Sequence, residues 1–134
     1  MKRFAFLSAI ILSAIIFQGC SKKDDTSNPV NPVSTTPQGT WRISNFFSTM
    51  DETGNFAGYI FTFNSAGGVI ATKGTLIKNG TWSETTTKFI LSFGTDVLFS
   101  DLNNDWLKVE KLAASIKLKE DNPAQTDKLE FIRI

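Results

Sequence analysis

An all-β fold, a small antiparallel up-and-down barrel of about eight strands, is what residues 39–134 of this 134-residue chain predict. Three observations carry the prediction. Apolar residues recur with a period of two, turn signals interrupt them about every 8–12 residues, and the connections are too short for crossover helices, so consecutive strands must pair antiparallel. Closing such a sheet removes the exposed edges that a flat one of this size would present.

The segment before the barrel reads differently. Met1-Lys2-Arg3 is a short cationic start, Phe4 to Phe17 is almost unbroken apolar sequence, and Gln18-Gly19-Cys20 closes it with small residues, the pattern of a signal peptide over residues 1–19. The apolar stretch is shorter than the roughly 20 residues that span a bilayer comfortably. Phe17-Gln18-Gly19-Cys20 resembles the lipobox of bacterial lipoproteins. That resemblance implies cleavage before Cys20, which becomes the mature N-terminus and carries a diacylglyceryl and an N-acyl group. An ordinary secretory signal with an incidental cysteine is the alternative. Cleavage removes Lys2 and Arg3, so the formal charge moves from +1 by two units to −1. Overall charge then offers no membrane attraction, and attachment rests on acyl chains at about 0.8 kcal/mol per buried methylene.

Ser21-Lys22-Lys23-Asp24-Asp25 follows, by composition a solvated spacer. It is similar to the export signal of Bacteroidota surface lipoproteins, with Lys23, Asp24 and Asp25 at the matching places. The resemblance implies an outer-membrane protein exposed on the cell surface, the alternative being the periplasmic face. Ser21, where an aspartate would signal inner-membrane retention, argues against the inner membrane. Thr26 to Gln38 holds Pro29, Pro32 and Pro37 among Ser, Thr and Asn, too polar to pack, so residues 20–38 are expected to be a lipidated, disordered tether. Extended from Ser21 to Gln38 it reaches at most roughly 55 Å, at about 3.1 Å per residue.

Within the barrel region each strand has its own signature. Trp41, Ile43 and Phe47 are expected on one face of a first strand, and Tyr59, Phe61 and Phe63 on one face of a second. Asn64-Ser65-Ala66-Gly67-Gly68 is a hairpin turn, after which Val69 and Ala71 resume the alternation. Asn79-Gly80 is either the next turn or the start of the strand bearing Trp82. Glu84 to Thr87 separates that strand from Phe89, Leu91 and Phe93, and Asp96 to Asn103 is the one place for a helical turn. Leu107 and Val109 are expected inward. Ile116 and Leu118 alternate with Lys117 and Lys119, and Leu129 and Phe131 share a face of the last strand.

Gly39-Thr40-Trp41 opens the first strand as the glycine–any–tryptophan signature opens lipocalins and their fatty-acid-binding relatives. Together with Phe61-Thr62-Phe63-Asn64, Gly80-Thr81-Trp82, Leu102-Asn103-Asn104-Asp105-Trp106 and Leu129-Glu130-Phe131, it makes residues 39–134 resemble the lipocalin-like domains of Bacteroidota lipoproteins. The resemblance implies a barrel that binds a small hydrophobic or amphipathic ligand. Two departures stand against a large cavity: no helix follows the last strand, and Arg133, which could pack over Trp41 as the closing arginine of lipocalins does, sits at a different place in its strand.

Composition excludes several chemistries. No histidine and one cysteine rule out a cysteine–histidine zinc site and a serine–histidine–carboxylate triad. Scattered Lys and Arg give no stripe for nucleic acid. Asp101, Asn103 and Asp105 have the opening spacing of a calcium loop, but Trp106 and Leu112 stand where it needs Gly and Glu. The adjacent carboxylates Asp24-Asp25, Asp51-Glu52 and Glu120-Asp121 fall in tether or turn contexts, unsuited to flanking one glycosidic bond. No phosphate loop or cofactor fingerprint is present, so a non-enzymatic protein without cofactor or metal is expected. Trp41, Phe61, Phe63, Trp82, Phe89 and Leu91 are expected either to fill the barrel or to line a small apolar site. A packed barrel implies a structural or assembly lipoprotein docking on another outer-membrane protein or a glycan.

Overall fold

In the computed structural model, which describes residues 35–134, the alternating stretches form β1 (Thr40–Ser48), β2 (Met50–Asp51), β3 (Ile60–Phe63), β4 (Gly68–Lys73), β5 (Leu76–Glu84), β6 (Lys88–Ser92), β7 (Asn104–Lys111), β8 (Ser115–Lys119) and β9 (Lys128–Arg133). β2 is a two-residue stub folded back on β1, with Ser48 opposite Met50. The other eight pair antiparallel in chain order. β9 then returns to β1, Trp41 facing Arg133 and Phe47 facing Lys128, which closes an all-β up-and-down barrel. The expected signal peptide over residues 1–19, Cys20, Lys23, Asp24, Asp25 and the expected tether as far as residue 34 lie outside the described residues.

Period-two alternation sends one set of side chains inward, and these fill the barrel. Phe63 sits among Trp82, Phe89 and Phe131 at ring-centroid distances of 5.6, 5.7 and 5.8 Å, each edge to face. Phe99 is the second hub, 5.6 Å from Phe56, 5.0 Å from Tyr59 and 4.9 Å from Phe93. Edge-to-face pairs of this kind contribute about 0.5–1.5 kcal/mol each beyond the area they bury. Among the described residues no polar or charged residue is buried as a whole, although one carboxylate side chain, that of Glu84, is. Gly80 lies inside β5 rather than at a turn. A Cβ there would come within 2.7 Å of the Phe93 ring and of the Ser92 carbonyl oxygen, so the close β5–β6 approach needs a glycine.

Two strands differ from the inward assignments expected from the sequence. In β1 the pairing with β9 slips between Ile43 and Asn45, a bulge that inserts one residue, so Phe46 rather than Phe47 is buried. In β7 Trp106 stands opposite the buried Phe89 of β6 and is itself buried, so Leu107 is only half-buried and Val109 is exposed; the register slip with β8, between Lys108 and Glu110, comes after it. A helical turn forms over Phe99–Leu102, inside the expected stretch. A second, not expected from sequence, forms over Thr53–Phe56 and buries Phe56.

The two ends of the barrel differ. The near rim, where the chain enters through Thr35–Gly39, carries the short turns 64–67, 85–87 and 112–114 and the end of β9. The far rim carries 49–59, 74–75, 93–103 and 120–127, and both helical turns lie there. Its longer connections hold Asp51 and Glu52, then Asp96 and Asp101, then Glu120, Asp121 and Asp127, with no Lys or Arg among them. The three near-rim turns, Asn64-Ser65-Ala66-Gly67, Thr85-Thr86-Thr87 and Leu112-Ala113-Ala114, hold no charge at all.

Candidate functional site

The near rim is built from strand ends. Asn64 closes the β3–β4 turn on itself: its Oδ1 accepts the backbone N–H of Ala66 at 3.0 Å and of Gly68 at 2.9 Å. Its main-chain carbonyl accepts the Trp82 indole N–H at 2.8 Å, which fixes that ring, stacked on Phe89, at the barrel mouth. Beside Trp82, at the end of β5, the Glu84 side chain is only 4% exposed. Two lysines of β7 meet it, Lys111 Nζ at 2.7 Å and Lys108 Nζ at 3.4 Å. A carboxylate that deep needs such partners. Lys111 Nζ also lies 5.9 Å from the Trp82 ring centroid and donates to the Thr35 carbonyl at 2.7 Å, so it straps the incoming chain to the rim.

A hollow of about 390 Å³ lies under that strap, lined by Thr35–Gln38, Trp41, Lys111, Leu112, Ala113 and Arg133. A second, of about 380 Å³, lies on the other side of Thr36 against Trp82 and Glu84. Trp41 is 1% exposed and its indole N–H has no acceptor in the structure, whereas the Trp106 indole donates to the Leu102 carbonyl at 3.0 Å. Arg133 is exposed, and its Nε occupies the space over Gly39, 2.7 Å from where a Cβ would stand. Any side chain at residue 39 would displace it, and the positive φ of 89° there also favours glycine.

Electrostatics separates the rims further. On the far rim Asp96 is held below the usual carboxylate range, first by the hydrogen bond from Lys78 and then by the Phe99 backbone N–H, while Lys78 is raised by the same pair. Asp51 is lowered by the Thr53 hydroxyl and backbone N–H, and Asp121 of the same rim raises Lys88, which opens β6 next to the near-rim turn 85–87. Close to the near rim, the Ser115 hydroxyl and then Lys117 lower Glu110.

Of the residues singled out from sequence, Trp41, Phe61, Phe63, Trp82, Phe89 and Leu91 are all buried within one core. Trp41 and Trp82 also reach the near-rim hollows; Phe61, Phe63, Phe89 and Leu91 line neither. The cluster of Glu84, Lys108 and Lys111 went unread in the sequence. Its members are 24 and 27 positions apart, and only the antiparallel pairing of β5 and β7 on either side of β6 brings their ends to one rim. Among the described residues no group of His, Cys, Asp or Glu is placed to hold a metal ion. Compared with protein-family models, curated proteins and solved structures, the chain gives no match.

Proposed function

We propose that this protein is a lipid-anchored outer-membrane lipoprotein, exposed on the cell surface, whose small barrel is a non-enzymatic module that works through its outside, docking on another outer-membrane protein or a glycan. The filled interior carries the docking half of the reading. A hydrophobic ligand of the kind the lipocalin resemblance implies would need the space held by Phe61, Phe131, Phe63 and Phe89, all nearly or fully buried and joined in that order by ring contacts. Close-packed interiors do not yield such space without loss of stability. The anchor rests on Cys20 in its lipobox-like context, and surface exposure on Lys23, Asp24 and Asp25.

Native mass spectrometry of the purified full chain tests the interior: a clean mass without adduct is expected, and a reproducible bound small molecule would restore the ligand-carrier reading. Crosslinking in intact cells tests docking, with recovery of the chain alone counting against it. Cys20→Ala should abolish partition into the detergent phase. Replacement of Lys23, Asp24 and Asp25 by Ala should reduce protease accessibility on whole cells; unchanged accessibility would move the protein to the periplasmic face.

A further inference from the structure

We infer that the near rim is a contact surface for a phospholipid bilayer, and that the barrel rests on the membrane with this rim down and its acidic rim outward. The two rims differ in charge. The far-rim connections carry seven carboxylates, Asp51, Glu52, Asp96, Asp101, Glu120, Asp121 and Asp127, against the four lysines of the adjoining strand ends, Lys73, Lys78, Lys119 and Lys128, so that rim keeps a negative excess that an anionic lipid surface would repel. The near rim has no charge on its turns, and its strand ends hold Arg133, Lys108 and Lys111 beside Glu84 and Glu110. Lys108 and Lys111 share the single carboxylate of Glu84, and Arg133 stands exposed over Gly39.

Three further features fit a headgroup layer rather than bulk water. The β7–β8 turn, Leu112-Ala113-Ala114, is apolar, and Leu112 is 60% exposed beside Lys111. An apolar tip next to basic side chains is the arrangement by which peripheral proteins enter the interface. The hollow between Arg133 and Lys111 is lined by Trp41, whose buried N–H lacks an acceptor that a phosphate or glycerol ester oxygen could supply once the Thr35–Gln38 strap shifts. Finally, the 34 residues that precede Thr35, Cys20 among them, join the barrel at this rim and not the other. The inference rests on the anchored reading in that last respect only; the charge asymmetry and the apolar tip stand without it.

The test places an environment-sensitive, thiol-reactive dye on Leu112→Cys or on Val97→Cys in the full chain, reconstituted on vesicles of phosphatidylcholine with or without phosphatidylglycerol. Val97 is the matched control: it is apolar and 91% exposed, but it lies on the far rim next to Asp96. Dye at residue 112 is expected to shift to the blue and to be quenched by lipid-borne quenchers, more strongly with phosphatidylglycerol present, while dye at residue 97 reads as in buffer. Arg133→Gln, a change on an exposed side chain, is expected to lower the equilibrium constant for rim contact with the membrane about fivefold, the share of one basic residue near an anionic surface. Equal signals at the two rims, or indifference to both phosphatidylglycerol and Arg133→Gln, would overturn the inference. The parent chain reports separately on the anchor. If its own Cys20 takes up dye, the anchored reading fails, and the comparison of residues 112 and 97 then proceeds in a Cys20→Ser background, where the same outcomes decide.

Discussion

The far rim is closed by its own loops, whereas the near rim ends on tryptophans and is crossed only by the incoming strap. Connections 49–59 and 93–103 are long enough to form a helical turn each and to swing Phe56, Phe99 and Leu102 into the barrel while their carboxylates face out. The near-rim turns are too short to do this. There, side chains on the strands themselves, Trp41 and Trp82, cover the core. Loop length thus decides which end of the barrel is plugged by its own loops, and the charge of the loops follows the same division.

The sharpest way to break this comparison is to remove the far plug. Phe99→Ala deletes the hub of four ring contacts and should cost about 3–5 kcal/mol, read from chemical denaturation. On the near rim, Trp82→Phe keeps the ring stacked but loses the bond to the Asn64 carbonyl, and should cost about 1–2 kcal/mol in the same assay. Equal losses would mean that the two ends are closed equally well.

A gain is expected at one far-rim position. Thr49, between β1 and β2, has a φ of 59°, a left-handed conformation that a β-branched residue adopts only under strain. Thr49→Gly should raise stability by about 0.5 kcal/mol, because relief of strain exceeds the added freedom of the unfolded chain. No gain in thermal midpoint would place the tightness of that turn elsewhere.

The smallest effect is electrostatic. Asp96 has its acidity increased by folding, so its contribution is complete above its ordinary value of 3.8 and is lost as pH falls through the lower folded value. Asp51 behaves in the same direction. Acid destabilisation below about pH 4 should therefore carry a far-rim component. Asp96→Asn should flatten the melting curve against pH in that range and leave it nearly unchanged at neutral pH. An unaltered acid profile would show that the Lys78–Asp96 pair contributes nothing to it.

Much of the barrel was legible as period two. Val69 and Ala71, Phe89 and Leu91, Ile116 and Leu118, and Leu129 and Phe131 all face inward where their alternation puts them. Phe46 was not legible, because a bulge is set by the partner strand: the extra residue in β1 is visible only against the register of β9. Trp106 was missed because Leu107 and Val109 offer the same alternation, and only the pairing of Trp106 with Phe89 fixes which set faces inward. Phe56 was missed for a related reason. Thr-Gly-Asn-Phe shows no helical pattern, and its turn is held by contacts made elsewhere, with Thr53 Oγ1 accepting the Phe46 backbone N–H at 2.8 Å.

The sequence by itself determined the strand-by-strand alternation, the antiparallel order and the barrel class, because these depend on neighbours a few residues apart and on connections too short for any crossover. It also carried the lipobox-like cysteine and the tether composition on which the anchored reading stands. Tertiary structure alone decided that the aromatic residues interdigitate, since one set of Phe and Trp side chains can line a cavity or fill it depending on how rings from non-adjacent strands meet. It also decided that every charge on the long connections gathers at one end. That segregation arises because antiparallel order sends alternate connections to opposite rims, a consequence of topology that no local window of the chain displays.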